Sequence, residues 1–209
     1  LLKFALLPNL VQTTEGVPAV VHGGPFANIA QGTNSIIGTD LALRLADYVV
    51  TEAGFGFDLG AEKFFDIVAP YGNLTPRIVV LVATVRALKY HAGISRDDLN
   101  LPNPRAAVLG MANLRKHYEN IDKFHVPCII ALNRFATDTD EAIRAVVDTA
   151  ENEGMNIAPA EIFRLGGDGG IELAEKTVQL IDKAQGKFQP LYDWNLPVED
   201  KIFKVASEI

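Results

Sequence analysis

Two rhythms alternate along the chain. Short apolar runs stand between longer stretches in which apolar positions recur every third or fourth residue. The first rhythm is that of strands covered on both faces, the second that of helices with one buried stripe. The runs Ala19–His22, Tyr48–Thr51, Ile78–Ala83, Cys128–Asn133 and Asn156–Phe163 are therefore predicted as strands. Helices are predicted over Ser35–Ala46, Leu59–Ile67, Arg105–Phe124, Asp140–Glu153 and Ile171–Ala184, with a further one opening at Val198. In the fourth of these, Ala142, Ile143, Val146, Val147 and Ala150 form the stripe, Thr139 supplies an N-cap and Gly154 the glycine past the end. Val108, Ala112, Leu114 and Ile121 line the third, and Leu173, Thr177, Leu180, Ile181 and Ala184 the fifth.

Strand–loop–helix units in series imply right-handed crossovers and a mostly parallel sheet flanked by helices, a three-layer α/β architecture of the P-loop NTPase-like or Rossmann-like kind. Residues 1–185 form the expected α/β domain. Residues 186–209, with Pro190, Pro197 and the lone Trp194, read as a connection into a following helix. The opening Leu1-Leu2-Lys3-Phe4 and the close inside a helical pattern point to a piece of a longer protein.

In such sheets ligands bind beyond the carboxyl ends of the strands. The loops placed there hold His22 and Asn28, then Glu52, Phe55 and Phe57, then Thr84, Arg86 and Lys89, then Asn133, Arg134 and Phe135, and finally Phe163 and Arg164. The loop in 52–57 sets aromatic rings between glycines and beside a carboxylate, which suits a flat ligand; either ring can instead fold into the core. Phe135 and Phe163 end consecutive units and can face each other across a slot. The cations form an anion-binding set, with Arg matching planar bidentate groups and Lys a point charge. Each of them alone also fits a solvated loop charge. Gly166-Gly167-Asp168-Gly169-Gly170 is either an anion nest or a flexible turn.

Composition sharpens this reading at a few points. A net charge of −7 argues against non-specific nucleic-acid binding and makes a cationic rim an inversion of the overall balance. No apolar run has the length of a membrane span, and no secretory signal is visible. The single cysteine, Cys128, lies in an apolar run and permits no intrachain disulfide, as in a reducing compartment. Metal-ligand spacing is missing, and so are G-x-x-x-x-G-K-[ST], a complete G-x-G-x-x-G and G-x-S-x-G. No catalytic residue is assigned.

The loops carry long specific motifs. Pro8 to Gly16, Val21-His22-Gly23-Gly24-Pro25-Phe26-Ala27-Asn28-Ile29-Ala30, Glu52 to Phe65, Val82 to His91, Asn133-Arg134-Phe135-Ala136-Thr137-Asp138-Thr139 and Gly166 to Leu173 follow in order. Together they closely resemble the formate–tetrahydrofolate ligases, over nearly the whole chain. The resemblance implies ATP-dependent ligation of formate to tetrahydrofolate through formyl phosphate, giving 10-formyltetrahydrofolate, ADP and phosphate. It implies magnesium with ATP, a monovalent cation as activator, a cytoplasmic location, and a homo-oligomeric full-length enzyme working on small molecules, with no nucleic-acid or membrane partner. It places the pteridine on Phe135, with Phe163 where the family has tryptophan, Pro159 lining the slot and Phe55 as a second substrate-site aromatic. Glu52 and Arg134 join the substrate set, and Arg86, Lys89, His22 and Asn28 are the phosphate or anion candidates. The chain departs from the family at Ala136, at Gln31-Gly32 and at Ala92-Gly93, all around the substrate site. The family's P-loop lies upstream of this stretch, so the segment is expected to supply the folate slot and not to turn over alone. The alternative is a non-catalytic pterin- or nucleotide-binding module on the same fold.

Overall fold

The computed structural model describes residues 3–24, 32–184 and 186–209. The chain divides into two compact units, one of residues 1–75 and 190–209 and one of residues 76–189.

The first unit opens with a hairpin. Strands β1 (Asn9–Gln12) and β2 (Pro18–Val21) pair antiparallel, Leu10 against Val20. Gly16, at φ +81°, closes the turn, whose Gly16 N–H donates to the Thr13 carbonyl. The predicted parallel strand at Ala19–His22 is thus half of a local ribbon, because a tight turn delivers its partner from the same side. Helix α1 (Ile36–Leu45) starts where expected: the Ser35 hydroxyl accepts from the Gly38 N–H at 2.9 Å.

Tyr48–Thr51, expected as a strand, is in no ladder among the described residues. Val50 is 93% exposed, and β-propensity without a neighbouring strand does not make a ladder. The helix predicted from Leu59 is present in a wider form. Phe57–Ala61 and Phe64–Val68 run as π-helical turns into the short α2 (Ala69–Tyr71). Gly60 allows this winding, because a Cβ there would run into the Gly54 backbone.

The second unit is built on a parallel sheet of order β3-β4-β5, with β3 (Val79–Thr84), β4 (Cys128–Asn133) and β5 (Ile157–Ala160). Val79 registers with Cys128, and Thr84 with Asn133; Ile130 registers with Ile157, and Asn133 with Ala160. β4 is central, and its first five residues are buried, as a continuous apolar run requires. Helix α3 (Val85–His91) follows β3 without a loop. Sequence patterning delays this helix to residue 105; the Thr84 hydroxyl, accepting from the Ala87 N–H at 3.0 Å, starts it at once.

Helices α4 (Pro104–Leu109) and α5 (Met111–Asp122) meet at Gly110, where the α3 backbone passes so closely that a Cβ would overlap the Leu88 carbonyl. Leu114 and Ile121 of the predicted stripe are buried there and Ala112 is exposed, since the break at Gly110 resets the helical phase. Helix α6 (Asp140–Asn152) is capped by Thr139 and ends before Gly154, at φ +77°. The strand expected through Phe163 stops at Ala160, and α7 (Ile162–Leu165) takes up the next turn. Gly166–Gly170 forms a 3₁₀ turn ahead of α8 (Ile171–Lys183).

Ile130, Leu132 and Ile157 meet Val85, Leu88, Met111, Leu114, Ile143 and Val146 in one apolar core. Each such aliphatic side chain contributes roughly 1.5–3 kcal/mol by burial. Pro159 sits in β5, an edge strand of the sheet among the described residues, where a missing N–H is tolerated. The chain then returns to the first unit and ends in α9 (Val198–Glu208).

Candidate functional site

The carboxyl ends of β3, β4 and β5 lie side by side through the Thr84, Asn133 and Ala160 register. Phe135 follows β4 by two residues. Its position is fixed by a tight turn: the Phe135 N–H donates to the Asp138 carboxylate at 2.9 Å, and the Asp138 N–H donates back to the Phe135 carbonyl at 2.9 Å. Asp138 is buried at 6% exposure, and its other carboxylate oxygen has no hydrogen-bond partner. The signal for this residue was an Asp three positions after the aromatic, the spacing of a side-chain-closed turn. The Phe135 ring itself is 38% exposed, and the Arg86 guanidinium lies over it, 5.9 Å from the ring centroid.

Phe163 stands at the end of the neighbouring strand, on α7, and is 96% exposed. The two rings thus belong to adjacent strand ends, and neither covers the other. Pro159 is half-buried in β5, level with Leu132.

Three of the cations read as a rim, Arg134, Arg164 and Lys89, are engaged. Arg134 anchors its own backbone N–H on the Ala160 carbonyl and pairs with Asp140 at 2.6 Å. Arg164 grips Glu161 with two hydrogen bonds, at 2.5 and 3.0 Å. That guanidinium, with Arg134 further off, holds the Glu161 carboxyl below its ordinary value. Lys89 is buried and donates its ammonium to the Leu101 carbonyl at 3.0 Å, tying the loop after α3 to the helix. In the glycine run Gly169 lies against Glu161: a Cβ on Gly169 would meet the Glu161 carbonyl, and the Glu161 N–H donates to the Gly169 carbonyl at 2.9 Å. Arg86 has no carboxylate partner among the described residues.

In the first unit, Phe57 is buried against Phe65, with centroids 5.9 Å apart, whereas Phe55 is 72% exposed at φ +62°. A bulky residue in the left-handed region is strained and needs a reason beyond local packing. Glu52 is exposed. His22 Nδ1 shares a 2.6 Å hydrogen bond with the Ser35 hydroxyl at the start of α1. Asn28 lies outside the described residues. Among the described residues no group of three His, Cys, Asp or Glu side chains is placed to hold a metal, so magnesium is assigned to none of them.

The second unit is an α/β fold whose strand ends present a partly exposed aromatic ring beside an arginine without a carboxylate partner among the described residues. The chain belongs to the formate–tetrahydrofolate ligase family, whose sequence profile matches residues 1–209. It is 80% identical over 209 residues to the formate–tetrahydrofolate ligase of Syntrophus aciditrophicus (strain SB). It is 55% identical over 209 residues to that of Pseudothermotoga lettingae (strain ATCC BAA-301 / DSM 14385 / NBRC 107922 / TMO). All of this chain is matched in both, and it spans 37% of the length of each relative.

Proposed function

We propose that this chain is the tetrahydrofolate-binding part of an ATP-dependent formate–tetrahydrofolate ligase. Family membership over all 209 residues supports the reaction, and the half-exposed Phe135 ring at the end of β4 carries the assignment of the slot. In this reading a carboxylate oxygen of formate attacks the γ-phosphorus of ATP, releasing ADP and leaving formyl phosphate. N10 of tetrahydrofolate then attacks the formyl carbon, phosphate leaves, and N10 gives up its proton.

The described residues serve the second step by orientation. The pteridine stacks on the open part of Phe135, with Phe163 and Pro159 as the remaining walls. Stacking contributes on the order of 1 kcal/mol per ring beyond area burial. The exposed Phe55 and Glu52 are the substrate-facing candidates of the first unit. The sequence holds no G-x-x-x-x-G-K-[ST] loop, so the ATP phosphates are not placed on this segment.

Steady-state kinetics of Phe135→Ala and Phe163→Ala in the full-length polypeptide test the slot. KM for tetrahydrofolate is expected to rise roughly fivefold or more in each, with KM for ATP and formate unchanged. Phe163 is the cleaner probe, because a ring at 96% exposure contributes little to folding. Unchanged KM for tetrahydrofolate in both variants would refute the assignment.

A further inference from the structure

On the outer side of α3 the second unit has an open depression of about 360 Å³. It is lined by Arg86, Ala87, Tyr90, Arg96 and Leu99. Both arginines are held by rings and not by acids. The Arg86 guanidinium lies over Phe135, and the Arg96 guanidinium over Tyr90 at 5.8 Å from its centroid. Neither has a carboxylate partner among the described residues. Asp98, close in sequence to Arg96, is engaged instead with the Ser95 hydroxyl at 2.7 Å.

Arg44, Arg115, Arg134 and Arg164 pair with carboxylates, whereas these two guanidinium groups rest on rings beside one depression. A guanidinium resting on an aromatic face keeps its in-plane N–H groups free, and these match a planar carboxylate in bidentate fashion. Arg86 touches both places: it covers part of the Phe135 ring and lines the depression. A ligand stacked on Phe135 therefore has two uncommitted guanidinium groups within its continuation.

Resting on the assignment of the pteridine to Phe135, we propose that this depression binds the glutamate end of tetrahydrofolate. Arg86 stands at its inner edge, and Arg96 and Tyr90 form its wall. Tetrahydrofolate carries two carboxylates at the end remote from the pteridine, and each added γ-glutamyl residue adds one more. Their charge needs a cationic seat that is neither buried nor already paired, and the depression meets both conditions. Arg96 is then a specificity residue: it selects the tail and has no contact with the reacting N10.

The test compares three substrates in the full-length polypeptide at saturating ATP and formate: tetrahydropteroate, which lacks glutamate, tetrahydrofolate, and its triglutamate. In Arg96→Gln the ratio of kcat/KM for tetrahydrofolate over tetrahydropteroate is expected to fall roughly fivefold, as for loss of one charge-assisted pair near the surface. The fall should be larger for the triglutamate, and Arg96→Lys should restore part of it. A ratio unchanged within twofold overturns the proposal. So does competitive inhibition of tetrahydropteroate turnover by inorganic phosphate that disappears in Arg96→Gln, which would assign the depression to phosphate. Phe135→Ala is read on tetrahydropteroate, so failure of the ring assignment shows separately from failure of the tail site.

Discussion

Asp66 makes the stability of the first unit depend on pH in the direction opposite to most carboxylates. Its side chain is 2% exposed, within the helical turns after Phe64. One carboxylate oxygen accepts from the Leu191 N–H at 2.7 Å, and the other has no partner. Burial, opposed by that one hydrogen bond and reinforced by the negative charge of Glu62, pushes the carboxyl from 3.8 up to about 7. Because the folded value lies above the unfolded one, the stabilisation is complete below about pH 4. It is then lost as pH rises towards 7, while the unfolded chain ionises and the folded one resists. A shift of roughly 3 units corresponds to a ceiling of about 4 kcal/mol. Relaxation and water around the anion bring the working figure to about 2 kcal/mol. Asp66→Asn keeps the carbonyl acceptor for Leu191 and removes the ionisation. Urea unfolding of both proteins at pH 4.5, 5.5, 6.5 and 7.5 measures the effect, followed through the fluorescence of Trp194, the only tryptophan, on the segment that Leu191 opens. The variant should gain on the wild type by about 2 kcal/mol across that range. Parallel pH profiles for the two proteins would refute the reasoning.

Two further outcomes follow from the packing of the second unit. Gly110→Ala drives a Cβ into the Leu88 backbone, where no side chain can rotate away, and should cost on the order of 3 kcal/mol or more in urea unfolding. The Cys128 thiol is buried, and burial pushes its pKa up, so a thiol-directed disulfide reagent should label it only at the rate of unfolding, with labelling accelerated in Gly110→Ala.

The second unit was legible because its signals are local. β4 is a run of apolar residues between Pro127 and a polar loop, and α6 announces itself by Thr139, its stripe and Gly154. The helix after β3 was not, since Val85 to His91 has too few residues to show a period and its start depends on one hydroxyl, that of Thr84. The strand at Tyr48–Thr51 failed for the converse reason: its composition is that of a strand, but pairing is a property of two segments and no ladder partner meets it among the described residues. Phe135 was identifiable from its loop and its family motif, whereas Arg96 emerged only from its contact, 5.8 Å from the Tyr90 ring centroid.

The cations show why a rim cannot be read from residue type alone. A list of Arg86, Lys89, Arg134 and Arg164 at the strand ends looks like four equivalent charges. The fold separates them: Lys89 is an internal tie to Leu101, and Arg134 and Arg164 neutralise Asp140 and Glu161. Arg86 has no carboxylate partner among the described residues, and its guanidinium lies over the Phe135 ring. The turn that places this ring is closed by the Asp138 carboxylate, and the same turn brings Arg134 and Asp140 into register. One four-residue turn thus sets both the aromatic surface and the distribution of charge around it. Loosening it should alter ligand selectivity before it alters the core, since the apolar cluster around Ile130 and Leu132 takes no residue from that turn.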